Sequence, residues 1–265
     1  MGLSVDRFDR WQDFEEAVTR RTAEFKELWH SPSAVPFFRG HQSTEYDLRP
    51  SLLRPVRGRW YTPADEQNLF YEFRSRGGAL LPAGLDSWDV LFSMRHYGLP
   101  TRLLDWSESF AAALFFALNG SEKAADIVVW FLDPYTFNKA TCEIAEVLDV
   151  RSDLKHSYLD YFVEPKPDAA PEWKHAVAIY PERRLPRLSG QLATFTLHVT
   201  CAPLEKLSLP GLTRLALSGR ARVDAEAYLQ LAGINDQSLF ADLDGLARLL
   251  CRRFPPQNDC TWHEA

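Results

Sequence analysis

The sequence predicts an α+β domain with a single mixed, mostly antiparallel sheet flanked by helices. Three observations lead there. Helix-type and strand-type periodicities do not alternate strictly: helical signals come first, strands follow in two groups, and helical signals close the chain. The run Ile127-Val128-Val129-Trp130-Phe131-Leu132 is apolar at every position, which suits a central strand covered on both faces. And 265 residues with 46% apolar and 25% charged side chains can build one large core, which excludes a disordered, collagenous or disulfide-stapled chain. With 17 Phe, 8 Trp and 9 Tyr against 2 Met, that core is expected to be aromatic and stiff.

Residues 5–29 place Phe8, Trp11, Phe14, Val18, Phe25 and Trp29 at mostly three- and four-residue spacings among charges, so the whole segment is expected as one amphipathic helix lying on the domain. A short apolar run at 35–38 predicts a strand entering a loop that continues to Pro50 and Pro55. The acidic start at Asp65 and Glu66 and the stop at Gly77-Gly78 mark a helix within 63–81. Another covers 87–96 and must halt before Gly98-Leu99-Pro100. Residues 101–105 then form a short buried strand, and Ser107 is expected to cap the apolar helix over 110–117.

After the strand over 126–132, residues 133–172 have poor periodicity and frequent Pro, Asp and Lys. They predict an irregular excursion with one short helix near 157–162. Alternation at 176–180, 192–199 and 214–218 gives three more strands, and 224–232 and 239–253 read as two closing helices.

The net charge of −6 argues against a protein that coats nucleic acid by bulk attraction, while leaving room for a local basic cleft. Cys142, Cys201, Cys251 and Cys260 contain no C-x-x-C pair and no His at ligand spacing, so neither a metal centre nor a secreted disulfide framework is indicated and a cytoplasmic location is expected. No apolar run approaches the roughly 20 residues of a membrane span, and Asp6, Arg7, Asp9 and Arg10 stand where an export signal is apolar. Met1-Gly2 opens a myristoylation motif that Asp6 leaves incomplete.

Three polar clusters sit inside apolar sequence, where an unpaired charge costs several kcal/mol and needs a partner or a role. The first is Phe37-Phe38-Arg39-Gly40-His41 with Tyr46 and residues 49–54 following. The second runs from Arg95-His96-Tyr97 through Arg102 and Asp105-Trp106-Ser107. The third is Arg187 to Thr196, where Gln191 and hydroxyls alternate with apolar residues along an expected strand. A purely structural account is an Arg39–Asp105 ion pair, Arg102 and Gln191 on backbone carbonyls, and Tyr97, Trp106 and Phe195 as core aromatics. His30, His156, His175, His198 and His263 suggest no special role. Arg57-Gly58-Arg59 and Arg183-Arg184 read as solvated surface, with Arg54, Arg57 and Arg59 placed to flank an acceptor channel if one exists.

In these clusters the sequence resembles the FRG domain family, named for the Phe-Arg-Gly seen here as Phe38-Arg39-Gly40. The similarity continues through Pro50-Ser51-Leu52 and through His96-Tyr97-Gly98 to Pro100-Thr101-Arg102-Leu103-Leu104-Asp105-Trp106. It takes in Ala113-Leu114-Phe115-Phe116-Ala117, Gln191 to Phe195, and the tail from Ala232-Gly233-Ile234. Ser109 and Ala241 stand where the family commonly has Pro, and Ala193 where it often has Gly, departures that touch packing more than polar groups. The resemblance covers roughly residues 35–250, and the organisation expected is an N-terminal amphipathic helix within 1–34 packed on the domain, an FRG domain over 35–254 and a tail over 255–265.

The order strand-Arg-Gly, strand-hydroxyl with an Ala-rich helix, and late strand with a polar residue is also similar to the NAD-binding elements of ADP-ribosyltransferases. That likeness implies an ADP-ribosyltransferase-like fold with NAD as substrate. Arg39 with Gly40 would anchor a phosphate or ribose, Tyr97 or Trp106 would stack on nicotinamide, and Arg102 and Ser107 belong to the same cofactor site. Gln191 would stand at the position of the family's Glu. Since Gln is no general base, His96 or Asp105 is the candidate for proton transfer, unless Asp105 instead orients Arg102 or His96. The implied function is modification of a macromolecular acceptor, protein or nucleic acid, by a toxin or antiphage defence effector held in check by a neutralising protein. Alternatives are a non-catalytic nucleotide- or partner-binding module and an NAD glycohydrolase.

Overall fold

Helix boundaries follow local capping chemistry. Thr62 and Asp65 form a reciprocal capping box ahead of Pro63, as do Asp86 and Asp89, and Ser109 and Asp133 accept hydrogen bonds from the first turns of the helices they precede. The computed structural model describes residues 5–31, 33–122, 124–182 and 186–256, so Met1-Gly2, Arg183-Arg184, Cys260, His263 and most of the expected tail lie outside the described residues. In chain order the elements are β1 (Val5–Phe8), α1 (Trp11–Leu28), β2 (Phe37–His41), α2 (Pro63–Arg76), α3 (Ser87–His96), β3 (Leu103–Ser107), α4 (Phe110–Leu118) and β4 (Ile127–Leu132). They continue with α5 (Pro134–Cys142), β5 (Leu148–Asp149), β6 (Ala176–Tyr180), α6 (Pro186–Gly190), β7 (Ala193–His198), β8 (Leu212–Leu217), α7 (Arg222–Leu231), α8 (Asp236–Leu239) and α9 (Leu243–Arg253).

The protein is α+β, with one mixed eight-stranded sheet in the order β1-β8-β4-β2-β3-β7-β6-β5 and helices on its flanks. The two edge pairs, β1 with β8 and β5 with β6, are parallel and the pairs between them are antiparallel. Every residue of β4 is buried, as its unbroken apolar run requires. The sheet is not uniformly knitted. β2 pairs with β4 over five registers and β3 with β7 over five, yet β2 and β3 meet at the single pair Phe38 and Ser107. Two four-stranded halves are therefore joined at one point and part beyond it.

Side-chain alternation sends successive residues to opposite faces. Phe38, Val129 and Leu217 pack with Phe14 and Leu114 under α1, α4 and α7. Leu103, Ile179 and Phe195 pack with Leu91 of α3 and with Tyr158, at the start of a π turn over Leu159–Val163. On the other face Leu104, Trp106 and Trp130 form a third layer with Phe137 of α5.

Four expectations are corrected. Residues 5–29 do not form one helix: Val5–Phe8 extends as a parallel strand on β8, and Arg7 reaches Asp126 at 2.7 Å. The spacing of Phe8, Trp11 and Phe14 fits either arrangement, and the partner strand is some two hundred residues away. The cap of α4 is Ser109, whose Oγ accepts from Ala112 N at 3.2 Å, rather than Ser107. The excursion over 133–172 contains α5 and β5, which poor periodicity concealed although Asp133-Pro134 is a strong start signal. Finally, 239–253 is broken: α8 ends at Leu239 and Asp242 caps α9 anew, with Asp236 buried beneath Arg248 and Arg252.

Candidate functional site

The parting of β2 and β3 opens a cavity of about 250 Å³. Gly40 fixes one wall, because α4 lies so close to β2 that a Cβ there would stand 1.9 Å from the Ala113 carbonyl oxygen. Its neighbour Arg39 spans the gap: Nη1 donates to the Asp105 backbone oxygen at 2.6 Å, a carbonyl beside the point where the ladder between β2 and β3 ends. Arg39 Nε donates to His41 Nε2 at 3.0 Å, while the Trp130 indole donates to His41 Nδ1 at 3.1 Å. A neutral imidazole has one acceptor nitrogen, so indole and guanidinium compete for it. Burial, reinforced by the Arg39 charge, pushes the His41 pKa down to about 3, and burial pulls Arg39 to about 10.

Asp105 is the electrostatic centre. Arg95, in the last turn of α3, donates from Nε to both carboxylate oxygens at 2.9 and 3.0 Å and from Nη2 to Oδ2; Arg39 Nη1 lies 3.7 Å from Oδ2. Burial would raise this carboxyl, but the Arg95 charge and hydrogen bonds, with the Arg39 charge, outweigh it and hold the group below its ordinary value. Its side chain remains 37% exposed, so water reaches the site.

His96 follows Arg95 at the end of α3. Its Nδ1 is buried without a hydrogen-bond partner, and burial, with the Arg187 charge, lowers its pKa, leaving a neutral ring at pH 7. Arg187 on α6 lines the same cavity and lies over the Phe240 ring at 4.4 Å; burial lowers its pKa as well. Gln191 sits in the turn after α6, not on a strand as expected, and its Nε2 donates to the Leu239 oxygen at 3.1 Å. Ser107 Oγ donates to the Gln191 oxygen at 2.6 Å and accepts from Ser109 N at 2.9 Å, closing one end. Trp106 lines the cavity while its indole donates to Thr196 Oγ1 at 3.0 Å.

The structure thus gathers Arg39, Gly40, His96, Asp105, Trp106, Ser107 and Gln191 around one space, and sequence reasoning left Arg95 and Arg187 without a role there. No local pattern marks them, since an arginine at a helix end is ordinary. Arg102 and Tyr97 are not in this cavity. Tyr97 is 63% exposed and lines a neighbouring cleft that shares Arg95, His96 and Arg187. Arg102 grips Glu66 of α2 through Nε at 2.7 Å and Nη2 at 2.6 Å, under the Phe162 ring and beside Tyr158, whose hydroxyl donates to Glu66. Glu66→Gln should strand that guanidinium and cost about 3 kcal/mol, read as a lower urea midpoint; an unchanged midpoint would mean the pair is dispensable. Among the described residues no three His, Cys, Asp or Glu side chains converge as a metal site, and no described helix is long and apolar enough to cross a membrane.

Residues 35–126 match the family model of the FRG domain. Over that third of its length the chain is similar to the FRG domain. The matched stretch supplies β2, α3, β3 and α4, and with them Arg39, Gly40, Arg95, His96, Asp105, Trp106 and Ser107. Arg187 and Gln191 reach the FRG cavity from beyond the match, by way of α6 and the turn before β7. No curated protein and no solved structure matches the chain.

Proposed function

We propose that the FRG cavity binds the phosphate-bearing part of NAD and that the protein transfers ADP-ribose from it to a macromolecular acceptor. The observation that carries this reading is the meeting of three guanidiniums, Arg39, Arg95 and Arg187, with one carboxylate, Asp105, in a water-accessible cavity. That excess of positive charge favours a doubly charged anion, and guanidiniums suit phosphate oxygens through paired hydrogen bonds. Phe38, Trp106, Phe116 and Phe195 supply an apolar aromatic wall for a ring. At about 250 Å³ the space takes one half of a dinucleotide, leaving the other to the cleft beside Tyr97.

In the proposed reaction the bond from ribose C1′ to the nicotinamide nitrogen breaks and its electron pair leaves with nicotinamide. The acceptor atom bonds to C1′ and gives up a proton. Such a dissociative step asks for orientation and electrostatic support more than for a strong base. The Asp105 oxygens are occupied by Arg95, so the neutral His96 ring is assigned the proton. The same engagement of Asp105, with the amide of Gln191 bonded to Leu239, favours a second reading in which the cavity binds a nucleotide without turnover.

Incubation with labelled NAD and lysate tests both. Labelled protein or nucleic acid with nicotinamide release is expected, falling at least about 100-fold in Arg39→Ala. Free ADP-ribose alone would make the protein a hydrolase, binding by calorimetry without nicotinamide release would make it a binding module, and no binding of NAD at all would remove the proposal.

A further inference from the structure

We propose that the rim segment from Tyr46 to Tyr61 is a docking surface for single-stranded nucleic acid. Residues 42–61 carry Arg49, Arg54, Arg57 and Arg59 against Glu45 and Asp47, a local positive excess in a chain of net charge −6; Asp47 holds Arg49 at 3.1 Å and faces Arg54 at 3.9 Å, so the charge offered to a ligand is carried chiefly by Arg57 and Arg59. Aromatic rings interleave with them and are open to solvent: Tyr46 is 53% exposed, Trp60 50% and Tyr61 37%. Both features are built rather than loose. The Arg49 guanidinium lies 5.5 Å from the centre of the Trp60 ring, steadying it while half of the residue stays free. Val56 and Arg59 exchange backbone hydrogen bonds of 2.8 and 3.0 Å around Arg57-Gly58, both with positive φ (51° and 78°), so a tight hairpin turn carries Arg57 and Arg59 on a fixed arm.

Aromatic faces for bases alternating with guanidiniums for phosphates is the chemistry that holds a single strand without reading its sequence. An acidic polypeptide would use the arginines but has no use for the rings. The net negative charge of the chain opposes non-specific coating by a polyanion and favours contact at locally positive surface such as this rim. The rim is continuous with the cavity: the Tyr46 ring packs edge-on to His41, the partner of Arg39, and Arg95 Nη1 donates to Ser51 Oγ at 3.4 Å. A strand held on this rim is thereby led towards the cavity through the Tyr46 and Ser51 contacts. Its role as the acceptor rests on the transfer reading above; its binding does not.

Fluorescence anisotropy with labelled single-stranded DNA and RNA oligonucleotides, on the full chain and without NAD, tests the surface. Binding should weaken with salt, fall roughly tenfold in Trp60→Ala, and lose about 1.4 from the log K against log salt slope in Arg57→Ala/Arg59→Ala. Binding by either sugar type supports the proposal, and the two arms show which is preferred. Failure of both oligonucleotides to bind, equal binding in Trp60→Ala, or tight binding of polyglutamate instead would overturn it. If oligonucleotides bind as expected and no label is transferred from NAD, the transfer reading falls and this one stands.

Discussion

Gly40→Ala is expected to prevent the protein from folding. The added Cβ would stand 1.9 Å from Ala113 O, 2.9 Å from Ala113 C and 2.7 Å from Ala117 N, all main-chain atoms of α4. No rotamer change relieves a clash with backbone, so α4 would have to lift away from β2. That helix buries Ala112, Ala113, Leu114, Phe115, Ala117 and Leu118, and lifting it opens the largest apolar layer. Ordinary overpacking costs about 1–3 kcal/mol because side chains can give way. Here the cost should exceed about 5 kcal/mol, comparable with the whole stability of a domain. Gly58→Ala is the control: nothing lies within 4 Å of a Cβ there, and its positive φ costs only about 1–2 kcal/mol. Circular dichroism and thermal melts separate the two. A Gly40→Ala protein melting within a few degrees of the parent would show that the glycine serves something other than the approach of α4.

The second large effect is loss of stability in mild acid. His41 and His198 are buried and both have pKa values pushed down to about 3, by burial first and then by the Arg39 charge, with Arg102 adding to His198 and Arg54 to His41. His198 shares a hydrogen bond with Thr196 Oγ1, and its Nδ1 is buried without a partner. In the unfolded chain each ring titrates near its ordinary value of about 6.5. Above that pH neither state binds the proton and the two rings leave stability unchanged. As pH falls from about 6.5 towards 3, the unfolded state takes up protons that the native state refuses, so stability falls by about 1.4 kcal/mol per pH unit for each ring. Two rings together should remove about 5 kcal/mol by roughly pH 4.5. Urea midpoints at a series of pH values between 7 and 4 measure this, and His198→Gln should flatten the slope by half. A flat profile in the parent would mean that protons reach these rings in the folded state. Asp105 does not mask the effect, because its folded pKa lies below the ordinary carboxylate range and its contribution fades only at lower pH.

Much of the fold was legible where local chemistry speaks. The helix over 87–96 has the bounds that its residue spacing and the stop at Gly98-Leu99-Pro100 predict, and the structure adds the Asp86–Asp89 capping box at its start. The strand over 127–132 announced itself by having no polar residue to expose. β1 is not legible locally because its partner lies far along the chain and its spacing also fits a helix; the break between α8 and α9 is hidden because Asp242 reads equally as an exposed helical residue and as a cap. For the site, the three polar clusters named most of the cavity, yet Arg102 and Asp105 looked alike in the same short stretch. Only the packing of α2 gives Arg102 to Glu66, and only α3 turns Arg95 rather than Arg102 onto Asp105.

Residue types and their local order determined that this chain is α+β, aromatic in its interior, and dense with guanidiniums near its Phe-Arg-Gly. The tertiary structure alone decided that β2 and β3 meet at one pair and then separate. That separation turns three buried clusters into one water-accessible cavity, because strand register and the seating of α4 on Gly40 depend on contacts between segments dozens of residues apart, which no window along the sequence can contain.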